Sequence, residues 1–310
     1  MSAHKSRVDV LVIENDLSAP VARLGEWLRD ADAALDVRSG AAGDPIPDSL
    51  SGYDALVVMG GAPNVFDDAR APWLPRVRRL LADAVREGVP TLGVCLGGQL
   101  LAAATGGLVE PAEVPEYGAQ LIAKRTVSAT DPLFGELPIT PDVLQWHAHA
   151  VTRLPAGAVL LASSPMCEVQ AFRVGRLAWG LQFHIETTPE IVARWAVEDA
   201  YALSDYDLDT ILERAQAAHD DFEAAWRPFA AAFVAVVRDP SSAEAPGMAP
   251  LAHASRRLPL AQASRTLPLT EDSRTLPLAG DETGLANPIT DPAEIRAALA
   301  AEMQAARGAH

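Results

Sequence analysis

Short apolar runs alternate with helical periodicity along the first third of the chain. Residues 8–13, 55–59 and 91–94 are rich in β-branched and aliphatic side chains and predict buried strands of a parallel sheet. Residues 35–37 form a weaker strand signal between the first two. Behind an opening at residues 18–20, Val21, Leu24, Trp27 and Leu28 share one helical face. Behind Pro72, Leu74, Val77, Leu80, Leu81 and Val85 share another, which Gly88 stops. Residues 96–105 then read as the helix after the third strong strand. Strand and helix in this rhythm predict an α/β fold, a three-layer sandwich with a mostly parallel central sheet and helices on both faces.

The pattern becomes more β-rich after Leu108, with strands expected at residues 119–127, 159–162, 168–174 and 177–183. Thr188-Pro189-Glu190 opens a helix. A long helical stretch over residues 207–237 carries Ile211, Leu212, Ala215, Phe222, Trp226, Phe229 and Phe233. These C-terminal helices extend a domain placed at residues 1–238. From residue 239 the composition shifts to Ser, Ala and Pro, and Ser-Arg-x-Leu-Pro-Leu recurs every nine residues from Ser255, Ser264 and Ser273. A repeat this short, with a proline in each copy, cannot build a core, so a disordered tail over 239–310 is expected. Ile295, Leu299 and Met303 predict a short helix near its end.

Charge narrows the function classes. The chain has 25 Lys and Arg against 41 Asp and Glu, a net charge of −16, which opposes approach to nucleic acid or an anionic membrane. No apolar run has the length of a membrane span or a secretory signal. With Cys95 and Cys167 as the two thiols, a reduced, cytoplasmic setting is the simpler expectation.

The chemistry concentrates at Gly93-Val94-Cys95-Leu96-Gly97-Gly98-Gln99. A tight strand-to-helix turn would push the Cys95 thiol out of the sheet edge, with Gly93 and Gly97 relieving the crowding. The thiol would then sit at a helix N-terminus, where amides and dipole favour a thiolate. The Leu96 amide would face the same space and could donate to an oxyanion. A base is expected at His184, at the end of a strand in Leu181-Gln182-Phe183-His184-Ile185-Glu186, with Glu186 orienting its imidazole. Cys167 lacks a glycine elbow and reads as structural. His147, His149 and His184 lack zinc-type spacing, so no metal is expected, and no cofactor motif is present.

These motifs resemble those of class I (triad) glutamine amidotransferases. The chain is most similar to stand-alone relatives of the amidotransferase domain of GMP synthetase, over roughly residues 8–190. The family's Gly-x-Cys-x-Gly-x-Gln is met by Gly93, Cys95, Gly97 and Gln99. Its His-Pro-Glu appears as His184-Ile185-Glu186, without the proline, and its Gly-Gly-Pro loop as Gly60-Gly61-Ala62-Pro63. The resemblance implies a flavodoxin-like sheet and a Cys95–His184–Glu186 triad. It also implies oxyanion donors at the Gly61 and Leu96 amides, and glutamine contacts from Gly60 and Gln99. Phe66-Asp67-Asp68 with Pro72-Trp73-Leu74, and Pro115-Glu116-Tyr117-Gly118, resemble the stand-alone relatives, and Tyr117 is implied to line the glutamine pocket. Gln145-Trp146-His147-Ala148-His149 resembles a Trp/Ser-His-Gly-Asp segment, with Ala148 and His149 replacing Gly and Asp. That replacement puts the usual acceptor or partner contact in doubt. His147 is a pocket-lining candidate, a packed or surface imidazole being the equal alternative.

Three functions are compatible with these residues. The first is a glutaminase that passes ammonia to a separate synthetase or acceptor subunit. The second is a γ-glutamyl peptide or amide hydrolase using the same triad. The third is a non-catalytic scaffold acting through the tail repeats as linear motifs. A pyrophosphatase loop, which the synthetase half of GMP synthetase would need, does not occur in the sequence.

Overall fold

The computed structural model describes residues 7–243. The tail repeats and the expected terminal helix lie outside the described residues. Strands β1 (Val8–Glu14), β2 (Ala33–Ser39), β3 (Ala55–Val58) and β4 (Thr91–Val94) alternate with helices α1 (Ala22–Asp30), α2 (Leu74–Glu87) and α3 (Leu96–Ala104). Then come β5 (Leu108–Leu121), β6 (Ala123–Lys124), a 3₁₀ turn at Thr126–Thr130, β7 (Asp142–Arg153), β8 (Val159–Ser163), β9 (Ala171–Val174) and β10 (Ala178–Leu181). Helices α4 (Pro189–Glu198) and α5 (Leu208–Arg238) follow.

The central sheet runs β2-β1-β3-β4-β10-β9-β8-β6. Strands β2, β1, β3, β4 and β10 pair in parallel, whereas β9, β8 and β6 continue antiparallel. The sheet is thus mostly parallel, as the strand–helix rhythm implied. Alternation along β1 explains the three layers. Val10 and Val12 pack into the core built with α1 and α5, and Leu11 and Ile13 into the core built with α2 and α3. Both faces being covered, β1 reads as a nearly continuous apolar run. Along α5, Ile211, Ala215, Phe222, Trp226, Phe229 and Phe233 are buried at steps of three, four or seven residues, a stripe that closes the first of these cores.

Two expectations are corrected here, and one strand is added. The strand expected at residues 119–127 begins at Leu108, ends at Lys124 after a break at Ile122, and gives way to the 3₁₀ turn. The strand expected from residue 168 begins at Ala171, because Cys167 and Ser164 close a turn in which the Ser164 amide donates to the Cys167 carbonyl at 2.8 Å. Strand β7 was not anticipated. It pairs antiparallel with β5 in a separate two-stranded sheet, and from Leu144 to Ala150 apolar and polar residues alternate strictly, a period-two pattern that the expectations above do not use.

Candidate active site

The site is built where β4 meets α3. Cys95 adopts φ 49° and ψ −110°, a strained region for a residue with a Cβ. Neighbouring contacts hold it there. The Cys95 amide donates to the Leu181 carbonyl at 2.8 Å, continuing the β4–β10 pairing, and its own carbonyl accepts from the Gln99 amide at 2.9 Å. The glycines around it answer to close backbone approach. A Cβ on Gly97 would lie 1.9 Å from the Val58 carbonyl oxygen, and one on Gly93 would lie 2.5 Å from the Gly97 carbonyl carbon. Any side chain at either position would push α3 off the sheet.

Strand β10 is the parallel neighbour of β4, with Leu181 opposite Val94. The chain leaving β10 therefore carries His184 past the same sheet edge as Cys95. Strand β7 clamps that segment: the His184 amide donates to the Leu144 carbonyl at 2.8 Å, and the Leu144 amide donates back at 3.2 Å. The His184 Nδ1 lies 2.7 Å from Glu186 Oε1, while Glu186 Oε2 accepts from the Ile185 amide at 2.9 Å. The other imidazole nitrogen is left open, and the Cys95 thiol is close enough to act on the ring electrostatically. Burial pushes the His184 imidazole down, but the charges of Glu186 and Cys95 push it up further, and its pKa rises to about 10. The protonated imidazole is thereby favoured at neutral pH.

Gly60 and Gly61 follow β3; Gly60 faces this pair, while Gly61 lies against Asn15 and Asp16. A Cβ on Gly60 would meet His184 Cε1 at 2.9 Å and Cys95 Cβ at 3.5 Å, so the loop lies directly against thiol and imidazole. Asn15 and Asp16, just beyond β1, hold this loop in place. Asn15 Nδ2 donates to the Met59 carbonyl at 2.8 Å, and Asp16 Oδ2 accepts from the Ala62 amide at 3.1 Å. Neither residue was singled out from the sequence, although polar residues just past a parallel strand mark the edge where such sheets place ligands.

The remaining expected residues fall in two places. Tyr117 is half-buried and joins a chain of rings that leads to the imidazole: Tyr117–Trp146 at 5.3 Å, Trp146–Trp195 at 5.7 Å and Trp195–His184 at 4.7 Å between centroids. The Trp146 carbonyl lies 3.8 Å from the Cys95 sulfur. Trp195 comes from α4 and carried no local sequence signal. Gln99 sits one turn along α3 from Cys95, but its Nε2 donates to the His149 carbonyl at 2.8 Å and to Gln182 Oε1 at 3.3 Å, so it ties α3 to β7. His147 points away from the thiol, into a buried layer where its Nε2 lies 3.2 Å from Glu116 Oε2. No helix among the described residues is long and apolar enough to cross a membrane.

Comparison with known proteins follows the same contour. The sequence model for class-I glutamine amidotransferases matches residues 26–195. The glutamine-hydrolyzing GMP synthase of Cytophaga hutchinsonii is 31% identical over 165 residues, which cover 51% of this chain and 30% of that protein. One of the subunits of the glutamine-hydrolyzing GMP synthase of Thermoplasma acidophilum is 36% identical over 138 residues, covering 44% of this chain and 65% of that one. The chain thus spans less than a third of the first relative's length and just under two thirds of the second's. Among solved structures, a glutamine amidotransferase from Thermotoga maritima superposes with a TM-score of 0.66 at 25% identity, covering 75% of this chain and 99% of that one. One from Methylobacillus flagellatus superposes at 0.66 with 27% identity, covering 80% and 100%.

Proposed function

Since the chain belongs to the class-I glutamine amidotransferase family, we propose that it hydrolyses the side-chain amide of glutamine through a thioester on Cys95. The released ammonia passes to a separate acceptor enzyme. The observation that carries this reading is that Cys95 and a His184 imidazole held by Glu186 lie together against Gly60 at one edge of the parallel sheet.

The Cys95 thiolate attacks the amide carbon of the substrate, and the carbonyl oxygen takes up the negative charge. The amides of Gly61 and Leu96 donate to that oxyanion, an interaction worth about 3 kcal/mol of barrier per donor. The His184 imidazolium gives its proton to the departing nitrogen, and ammonia leaves a γ-glutamyl thioester. Neutral His184 then takes a proton from water, the hydroxide attacks the thioester, and the thiolate leaves with glutamate released. Glu186 keeps Nδ1 protonated and stabilises the imidazolium in both halves. Tyr117 and Trp146 form one wall of the substrate space.

An acceptor carried by another chain agrees with the likeness to a Thermoplasma protein that is itself named as one subunit of its enzyme. A second reading, γ-glutamyl peptide or amide hydrolysis, is favoured by one observation. Ala148, exposed, and His149 replace the family's Gly and Asp in β7, which alters the surface the resemblance associates with a partner. Both readings are tested by incubating the full chain with glutamine and with γ-glutamyl dipeptides and measuring ammonia and free amino acid. Glutamine is expected to be the better substrate, and an electrophilic glutamine analogue is expected to leave one adduct, on Cys95. Labelling elsewhere, or no turnover of either substrate class with or without a candidate acceptor enzyme, would overturn the proposal.

A further inference from the structure

A second buried Cys-His-Glu group lies under the β5–β7 hairpin. Glu116 comes from β5, His147 from β7 and Cys167 from the turn before β9, and one potential ligand atom of each lies within 4.8 Å of the others. All three residues are buried, at 2%, 5% and 6% exposure.

The hydrogen bonds around this group are incomplete in a telling way. The His147 Nδ1 lies 3.1 Å from the His149 carbonyl, and a carbonyl oxygen can only accept, so Nδ1 carries a proton. In the neutral ring Nε2 is then a bare lone pair. It lies 3.2 Å from Glu116 Oε2, yet it makes no hydrogen bond among the described residues. Two electron-rich atoms at that separation in a dry interior repel unless something positive, a proton or a metal ion, lies between them, and an N–H on Nε2 would not make a well-formed hydrogen bond to the carboxylate. Ligands at about 2.0–2.1 Å from a tetrahedral zinc ion stand roughly 3.3 Å apart. Donation of the other ring N–H to a backbone carbonyl is also how a metal-bound imidazole is commonly oriented.

The surrounding residues reinforce this arrangement. Gln170 Nε2 donates to Glu116 Oε2 at 2.9 Å and to Ser164 Oγ at 3.0 Å. Ser164 Oγ lies 3.3 Å from Glu116 Oε1 and accepts from the Cys167 amide at 3.1 Å. The carboxylate and the thiol-bearing turn are thus fixed in position. Gln170 Oε1 and both amide atoms of Gln145 are buried without a partner among the described residues. Gln145 is two residues from His147 on β7, hence on the same face.

We propose that Glu116, His147 and Cys167 form a structural site for a divalent transition-metal ion of the zinc class. The ligands are a carboxylate oxygen, the His147 Nε2 and the Cys167 thiolate, a donor set that suits zinc. On coordination Cys167 releases its thiol proton to solvent and gives up its 3.5 Å contact with the Val169 carbonyl. A water held by the Gln145 amide completes the tetrahedron. The ion joins the two-stranded sheet to the β8–β9 turn of the main sheet, and so fixes the strand that carries Trp146 and clamps His184. The assignment does not depend on the reaction at Cys95.

The test uses the full-length, untagged chain, purified without added metal and then titrated with Zn²⁺ or Co²⁺. A single ion per chain is expected. Bound Co²⁺ should show a thiolate charge-transfer band that survives Cys95→Ala and disappears in Cys167→Ser and in His147→Gln. X-ray absorption on the wild-type zinc form should show one sulfur at about 2.3 Å with nitrogen and oxygen neighbours, a readout that needs no variant to fold. A wild-type chain that takes up neither ion, with the buried polar atoms bridged by water alone, would overturn the proposal. So would a cobalt–thiolate band lost in Cys95→Ala and retained in Cys167→Ser.

Discussion

The two Cys-His-Glu groups use the same residue types at nearly equal depth, with Cys95 at 7% exposure and Cys167 at 6%, yet their contacts run in different orders. At Cys95 the carboxylate stands behind the imidazole: Glu186 holds Nδ1 of His184 at 2.7 Å, and the other nitrogen is left open. At Cys167 the backbone holds Nδ1 of His147, and the acid faces Nε2. Cys95 stands at a helix N-terminus beside the protonated His184 imidazole. Burial, with the Glu116 carboxylate adding to it, pushes the Cys167 thiol up to about 12. Under the proposed function, a reactive thiol is set apart by what its imidazole leans on, more than by the company of a histidine and a glutamate.

The largest expected effect is on turnover. Cys95→Ala should lower glutamine hydrolysis by on the order of 10⁴-fold or more, since removing one member of such a unit costs most of its contribution. Ammonia release checks this, and activity that survives Cys95→Ala would erase the contrast between the two groups. Glu186→Gln should cost about 10³-fold in kcat, because an amide can hold the ring but cannot stabilise its charge. It should also move the alkaline limb of the kcat/KM profile to lower pH, since the Glu186 charge is what holds the His184 pKa up. An unmoved limb would show that the imidazole owes its proton to something else. Gly60→Ala comes next, at about 10²-fold in kcat. Its Cβ would press on the imidazole at 2.9 Å, so kcat should fall more than KM rises. A change in KM alone would mean that the loop touches only bound substrate.

The sequence made the first group legible and hid the second for one reason, chain distance. Cys95, Gly97 and Gln99 lie on one turn, and His184 and Glu186 are two residues apart, so local spacing reports their geometry. Glu116, His147 and Cys167 come from three separate segments, and spacing along the chain carries no trace of their meeting. Strand β7, by contrast, was legible: Leu144, Trp146, Ala148 and Ala150 alternate with Gln145, His147 and His149, with the aromatic wall on one face and the polar layer on the other. The parallel half of the fold was plain because strands such as β1 are buried on both sides and flanked by helices with clear apolar stripes. Gln99 shows the remaining gap. Its place in the motif was readable, but its bonds to the His149 carbonyl and Gln182 depend on β7.

The smallest expected effect is on stability, and it separates the two groups without any assay of turnover. His184 has an ordinary pKa of 6.5 and a folded value raised to about 10. A raised value means that the folded chain holds the proton more tightly than the unfolded chain. The stabilisation is therefore fully present below about pH 6.5, shrinks as the unfolded chain gives up its proton, and is lost as the pH passes the folded value near 10. In a chain of this size each kcal/mol lost lowers Tm by about 2–4 °C. Thermal melts across that range should show a downward slope that is shallower in Glu186→Gln than in Cys95→Ala, because Glu186 supplies the larger of the two charges acting on the ring. If the wild type and Glu186→Gln gave the same slope, the carboxylate would be no more than a support for the ring, and the electrostatic difference between the two groups would fall with it.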